Sequence, residues 1–411
     1  MTSFHIPSFH VDPNTLPPLL MNSEPGSFAR HTMQVRVPAI VRETSALNHF
    51  PSDIRAALES LAREIESGPV RLLQEDAPDR DFWRQAWGDW AGRPWLDAPW
   101  YLSESYAYRR ILEATRYFAP GGWQGFDPFR VKKQTELAPE AAPRLVETTL
   151  AARGSVVPSD LPTRFEILLY ASLWGNRIDL SYAVSAQQGR AARLEDERAN
   201  LLVDDADRVW QFISTQPRPH WIMIADNSGT ELLMDLALAD LLLTSGLAER
   251  IDLHLKPQPF FVSDAMPQDV EAGVAALMRG GDESHALGRR LHAHVSGGLL
   301  RLTTHWFYST CLFYFQLPTD LRAELGSADF VVVKGDANYR RLVGDMHWPP
   351  TTSFEQATDY FPAPLVALRA LKSELITGLR EGEAEQLSQI DPQWLVNGKR
   401  GLVQANLSKG D

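Results

Sequence analysis

Three short apolar runs in the second half of the chain end on polar residues. Trp221 to Ala225 is followed by Asp226-Asn227, Phe260 to Val262 by Ser263-Asp264, and Phe330 to Val333 by Lys334-Gly335-Asp336. Asp226, Asn227 and Asp264 offer only oxygen ligands. Two carboxylates and an amide suit a hard divalent ion such as Mg²⁺ or Mn²⁺, with positions left open for water and substrate. No H-E-x-x-H or other close histidine pairing suggests zinc, and His254 and His347 read as packed or surface histidines. Four cations, Lys334, Arg340, Arg369 and Lys372, could surround a phosphate, the alternative being that Arg340, Arg341 and Arg369 are surface charges on helices. A metal, cations and a helix amino end together are the equipment of phosphoryl transfer.

The first of these strand ends is the most informative. Asp226-Asn-Ser-Gly-Thr-Glu231 closes a strand and opens a helix, with Gly229 allowing close approach of backbone to ligand. Ser228 and Glu231 stand as S-x-x-E, so a capping box is the structural alternative for Glu231. Leucines at 232, 233, 236, 241 and 242 predict a largely buried helix, with Gly246 as its stop. Such a helix presents free N–H groups and a positive dipole end to an anion, which favours phosphate. It is not a P-loop, since no Lys-Ser or Lys-Thr follows the glycine.

Polar residues after strands converge only if the strands run parallel in one sheet, whose carboxyl-end crevice binds ligands. The pattern supports this. The short runs, with Ile251 to Leu255, mostly alternate with helical patterns such as Glu231 to Thr244 and Val270 to Met278, which predicts an α/β fold with a mainly parallel sheet covered on both faces. Leu365 to Leu379 fits strand or helix and is read as strand. The first 200 residues are mostly helical: Ser52 to Gly68 places Ile54, Leu58, Leu61 and Ile65 on one face, and Trp100 to Phe118 and Leu202 to Ile213 also read as helices. Leu137 to Arg164 and Ala183 to Asn200 read as surface stretches. The expected organisation is an extended arm (1–25), a helical region (26–200), an α/β metal-binding catalytic domain (201–390) and a tail (391–411).

Composition narrows the partners. Lys and Arg number 40 against 52 Asp and Glu, and the net charge of −12 argues against nucleic acid or anionic membrane as a partner. The one cysteine, Cys311, excludes an intramolecular disulfide and a Cys-rich zinc site, and its apolar neighbours suggest a buried thiol. No apolar run is long enough to cross a membrane, and Met1 to Phe9 lack a basic flank and an apolar signal core, so a cytoplasmic protein is expected. Twelve tryptophans imply a large aromatic core, in which Trp174 is placed.

Taken together these residues resemble the metal-dependent damage-control phosphatases, in the branch also named acidic residue methyltransferase. The likeness lies in Asp226-Asn-Ser-Gly-x-Glu231, in Ser263-Asp264 preceded by His254-Leu-Lys256, and in Lys334-Gly-Asp-x-Asn-Tyr-Arg340. It extends upstream to Phe28-Ala-Arg30, Glu104-x-Tyr-x-Tyr-Arg-Arg110, Asp127-Pro-Phe129, Leu173-Trp-Gly-Asn176 and Asp179-Leu-Ser181, and so covers roughly residues 25 to 380. The resemblance implies a helical region packed on a Rossmann-like three-layer α/β/α domain. It implies a divalent metal on Asp226, Asn227 and Asp264, with Mn²⁺, Co²⁺ or Ni²⁺ favoured over Mg²⁺. It also implies substrate contacts from Glu231, from Asp336, Asn338, Tyr339 and Arg340, and from Lys372. Similar proteins release phosphate from sugar phosphates such as fructose 1-phosphate and from related by-products. One departure bears on substrate: the branch carries Arg-Thr-x-Lys, and here Ala370 stands for the threonine between Arg369 and Lys372.

The expected activity is therefore metal-dependent hydrolysis of the phosphate monoester of a small metabolite. Asp226 either only ligates the metal or attacks phosphorus to give an aspartyl phosphate. The rival enzyme class is S-adenosylmethionine-dependent carboxyl methylation of protein glutamate. Against it, no Gly-rich loop follows the first α/β strand of the second half. A specialised enzyme on another phosphorylated metabolite and a catalytically silent sugar-phosphate sensor complete the alternatives.

Overall fold

The computed structural model describes residues 6–137, 160–175, 198–216 and 219–408. Asn176, Asp179 and Ser181, most of the surface stretch 137–164 and most of 183–200 lie outside the described residues. Seven strands form one sheet: β1 (Leu201–Asp204), β2 (His220–Ile224), β3 (Arg250–Leu255), β4 (Leu300–Thr304), β5 (Phe330–Lys334), β6 (Leu365–Ala370) and β7 (Gly401–Asn406). Their spatial order is β1-β7-β6-β5-β2-β3-β4. From β6 to β4 every pair is parallel; β7 pairs antiparallel with β6, and β1 parallel with β7.

Both faces of the sheet are buried at its central strands, and the side chains alternate between two cores. Ile222, Ile224, Val331, Val333, Leu365 and Ala367 pack with the amino-terminal helices, including Ser52–Ser67 and Trp100–Ala114. Trp221, Met223, Phe330, Val332, Val366 and Leu368 pack with the helices Leu161–Trp174, Ala206–Ile213, Thr230–Thr244, Pro267–Leu277 and Asp282–Ser296. Alternation between two apolar faces is what a period-2 strand of continuous Val, Ile and Leu dictates. The result is a three-layer α/β/α fold of Rossmann type, as expected. The helical region is not separated from it by a core of its own, because its buried residues belong to one cluster with the sheet face they cover.

Several local readings are corrected. Phe260 to Val262 is a turn, not a strand; Phe261 and Val262 take positive φ of 43° and 67°, which breaks the extended run. Leu202, expected at the start of a helix, lies in β1, and the helix begins at Ala206 after the pair Asp204-Asp205. Of Leu365 to Leu379 only the first six residues are strand. The expected tail contributes β7, which is buried along its whole length between β1 and β6. No helix among the described residues is long and apolar enough to cross a membrane.

The order of strands sets the site. From β2 the chain moves outward to β3 and β4, then returns across β2 to lay down β5 and β6 on its other side. The carboxyl ends of β2 and β5 thus flank the switch point, where side-by-side loops part and leave a crevice. Register does the fine placement. Ile224 is level with Val333 of β5 and with His254 of β3, so two residues on, Asp226 comes level with Gly335 and Lys256.

Candidate functional site

Asp226 stands at the switch point because Gly335 lets it. A β-carbon built on Gly335 would lie 2.0 Å from Asp226 Cγ, and Gly335 has φ of 86°. Asp264 reaches the same place from the turn after β3. The Asn227 and Asp264 backbones form a bridge, Ala265 N donates to Asp226 O (2.8 Å), and Ser228 N donates to Ser263 O (2.6 Å). Asn227 Nδ2 donates to Asp226 Oδ2 (2.8 Å) and Glu231 Oε2 (2.9 Å), while Ser263 Oγ donates to Asn227 Oδ1 (2.6 Å). The sequence-derived trio is therefore gathered in space.

Glu231 is not a cap. The helix Thr230–Thr244 is capped at Gly229 with no side-chain hydrogen bond, and Ser228 Oγ is buried with no hydrogen-bond partner among the described residues. Instead the Glu231 carboxylate faces Lys334 Nζ at 3.3 Å, and Gly175 admits the Glu231 backbone, since a β-carbon there would lie 2.5 Å from Glu231 Cα. Lys334 Nζ also pairs with Asp235 (2.9 Å) and donates to Ser172 O.

Buried carboxylates crowd one another at the site. Burial, then Glu231, then Asp264 push the Asp226 carboxyl well above the usual range, against Lys256 and Lys372. Burial also raises Asp264, opposed by Lys256, whose Nζ lies 3.2 Å from Asp264 Oδ2. Asp226, Glu231, Asp235 and Asp264 face two buried ammonium groups, Lys256 and Lys334. Lys372 also acts on Asp226, and Lys133 on Asp264. Among the described residues no three His, Cys, Asp or Glu side chains gather as a metal-holding group. The set available is two carboxylates with the Asn227 amide, all oxygen, which fits a hard ion with open positions.

Beside this cluster lies a cavity of about 220 Å³. Asp226, Glu231, Asp336, Lys372 and Asn397 give its lining polar groups, and Leu173, Trp174, Leu368 and Ala370 give it apolar ones, with Gly335 and Gly398 between. A larger groove of about 730 Å³, lined by His10, Phe315, Trp348 and Tyr360 among others, holds none of the expected site residues.

Of the four expected cations, Lys372 alone lines the cavity. Lys334 is saturated as described. Arg340 is buried between Glu104 (2.6 Å) and Asp345 (2.7 Å), with its guanidinium 3.7 Å from the Trp100 ring centroid. Arg369 donates to Asp336 Oδ1 (2.7 Å) and to the Leu375 carbonyl (2.8 Å). The surface-charge alternative fails equally, because both arginines are buried. Asn338 Nδ2 donates to Ala225 O (3.1 Å) and Lys334 O (2.9 Å), and Tyr339 OH donates to Gln404 Oε1 (2.8 Å). These two tie β2, β5 and β7 together beneath the crevice and are not on the cavity wall.

Other assignments resolve simply. His254 is buried with Nδ1 2.6 Å from Tyr308 OH, and His347 is exposed with Nε2 2.8 Å from Glu24 Oε1. Burial pushes the Cys311 thiol up to about 12, which keeps it protonated at neutral pH. Trp174 is buried, as expected of a core residue, and is also cavity wall. Sequence reasoning assigned no role to Lys256 or Glu136. Lys256 directly follows β3, so the same strand-end rule reaches it. Glu136 comes from far upstream, its Oε2 2.9 Å from where a β-carbon on Gly229 would stand, and no local signal in the sequence marks it.

An acidic, oxygen-rich pocket at the switch point of a three-layer α/β/α sheet, with a lysine at its rim, is the architecture of a small-molecule enzyme site. Comparison with known proteins is more specific. Residues 32–387 match the family model described as Damage-control phosphatase ARMT1-like domain. Relatives named Damage-control phosphatase ARMT1 include those of Danio rerio (32% identical; 95% of this chain and 97% of the relative covered) and Mus musculus (32%; 94% and 98%). A DUF89 family protein from Pyrococcus horikoshii, known from its crystal structure, aligns with a TM-score of 0.47 at 13% identity over 92% of this chain and 98% of that one. The chain belongs to the ARMT1-like damage-control phosphatase family.

Proposed function

We propose that this protein is a metal-dependent phosphatase that hydrolyses phosphate monoesters of small metabolites, with sugar phosphates such as fructose 1-phosphate its foremost substrates. One observation carries the reading: the buried carboxylates of Asp226, Asp264 and Glu231 gather beside Lys256 and Lys334, and Asp226 and Glu231 line a cavity that Lys372 also lines. Asp226, Asn227 and Asp264 would hold the divalent ion, Mn²⁺, Co²⁺ or Ni²⁺ before Mg²⁺. When bound, the ion supplies charge neutralisation at the phosphate and a polarised water.

The chain's own groups do the rest. Lys372, exposed at the rim, takes the equatorial phosphate oxygens as a mobile point charge. Glu231, held by Lys334 and Asn227, accepts a hydrogen bond from a substrate hydroxyl. Asp336 holds the Leu371–Ser373 loop, accepting from Lys372 N (3.1 Å) and Ser373 Oγ (3.0 Å), and so fixes where Lys372 begins.

The test is phosphate release by metal-stripped protein from a panel of phosphometabolites, with Mn²⁺, Co²⁺, Ni²⁺ or Mg²⁺ restored singly. Metal-dependent release is expected. Silence across the panel with metal bound would turn attention to carboxyl methylation.

A further inference from the structure

We infer that the site selects phosphomonoesters whose carbon skeleton turns C–H groups, not hydroxyls, toward one fixed apolar wall; this rests on the phosphatase reading above. Leu368 and Ala370 are two apart on β6 and so share a sheet face. The helix Leu161–Trp174 packs on that face and ends there with Leu173 and Trp174. All four line the cavity together with Asp226 and with Lys372, which follows two residues after Ala370.

The wall is rigid where it matters. Trp174 is pinned against β7: a β-carbon on Gly401 would lie 2.6 Å from Trp174 Cη2, and Leu368 is 1% exposed. At about 220 Å³ the cavity lies below the roughly 300–1,000 Å³ usual for ligand pockets, so a bound skeleton must touch the wall. A hydroxyl pressed on it loses its water partners, and none of these four side chains offers it an acceptor. An apolar pocket rejects an added hydroxyl by a factor up to about 10².

The measurement is kcat/KM with Mn²⁺ for matched pairs: 2-deoxyribose 5-phosphate against ribose 5-phosphate, and 2-deoxyglucose 6-phosphate against glucose 6-phosphate. The deoxy compound should be preferred by about 10- to 100-fold in at least one pair. Ala370→Ser, which puts a hydroxyl on the wall at little change in volume, should shrink that ratio. Equal rates in both pairs, preference for the hydroxylated compounds, or an unchanged ratio in the variant would overturn the inference. If neither pair is turned over, the phosphatase reading itself is in difficulty. The calorimetric Kd of each compound for the Mn²⁺-loaded protein then decides the wall separately: tighter deoxy binding supports it and equal binding overturns it.

Discussion

Gly335 and Asp226 occupy one another's space: a β-carbon on the glycine would fall 2.0 Å from the carboxylate carbon of the aspartate. The backbone of Gly335, at φ 86° and ψ 166°, lies in a region essentially closed to other residues. The glycine after β5 and the carboxylate after β2 are thus one feature of the site, made by parallel strands in register.

Gly335→Ala is therefore expected to displace Asp226 and to strain the loop by about 1–3 kcal/mol. Phosphate release should fall by at least about 100-fold, the loss typical of a misplaced catalytic group. Steady-state assays beside thermal denaturation check this. Full activity in a folded variant would mean that the position of Asp226 does not matter.

Lys372 makes the opposite case, since it is exposed at the rim of the cavity. Lys372→Ala should leave stability within about 0.5 kcal/mol. Activity should drop by about 10²- to 10³-fold, as when one preorganised charge partner is removed. Denaturant titration and kcat/KM on the same preparation separate the two effects.

Arg340 was expected near phosphate, and the structure gives it to Glu104 and Asp345. Arg340→Met should then act on stability first, destabilising by about 3–5 kcal/mol because two buried carboxylates lose their partner. Urea unfolding would show it. A stable protein with weakened substrate binding would instead put Arg340 back at the phosphate.

Stability should also carry the mark of Asp336. Burial alone would raise its carboxyl, but Arg369 and Arg340, with the Arg369 and Lys372 N–H bonds, hold it below the usual range. A folded pKa below the unfolded one contributes stability that is present above the ordinary value near 3.8 and is lost as pH falls through the lower folded value. Asp336→Asn should flatten that acid limb of the stability curve, measured by denaturation from pH 6 to 2. An unchanged slope would show that the pairing with Arg369 has no such linkage.

What the sequence could reveal follows from what was local. Asp226, Asn227 and Asp264 were legible because each follows an apolar run, although the run before Asp264 is a turn and not a strand. The buried helix after Gly229 was legible from its leucines. The fate of the cations was not: a lysine or arginine beside a strand end reads the same whether Asp235, Asp345 or a ligand takes its charge, and those partners are chosen by packing. β7 was missed because Gly401-Leu-Val-Gln-Ala-Asn406 follows a polar, glycine-containing stretch at the chain's end, and only its pairing with β6 makes it a strand.

The proposed hydrolysis depends on one divalent ion held by Asp226, Asn227 and Asp264. Titration of Mn²⁺ into metal-stripped protein by calorimetry, with phosphate release measured at each point, tests it directly beside Asp226→Ala. One bound ion, turnover that rises with occupancy, and loss of both in the variant are predicted. Phosphate release without metal, or unchanged Mn²⁺ binding in Asp226→Ala, would contradict it.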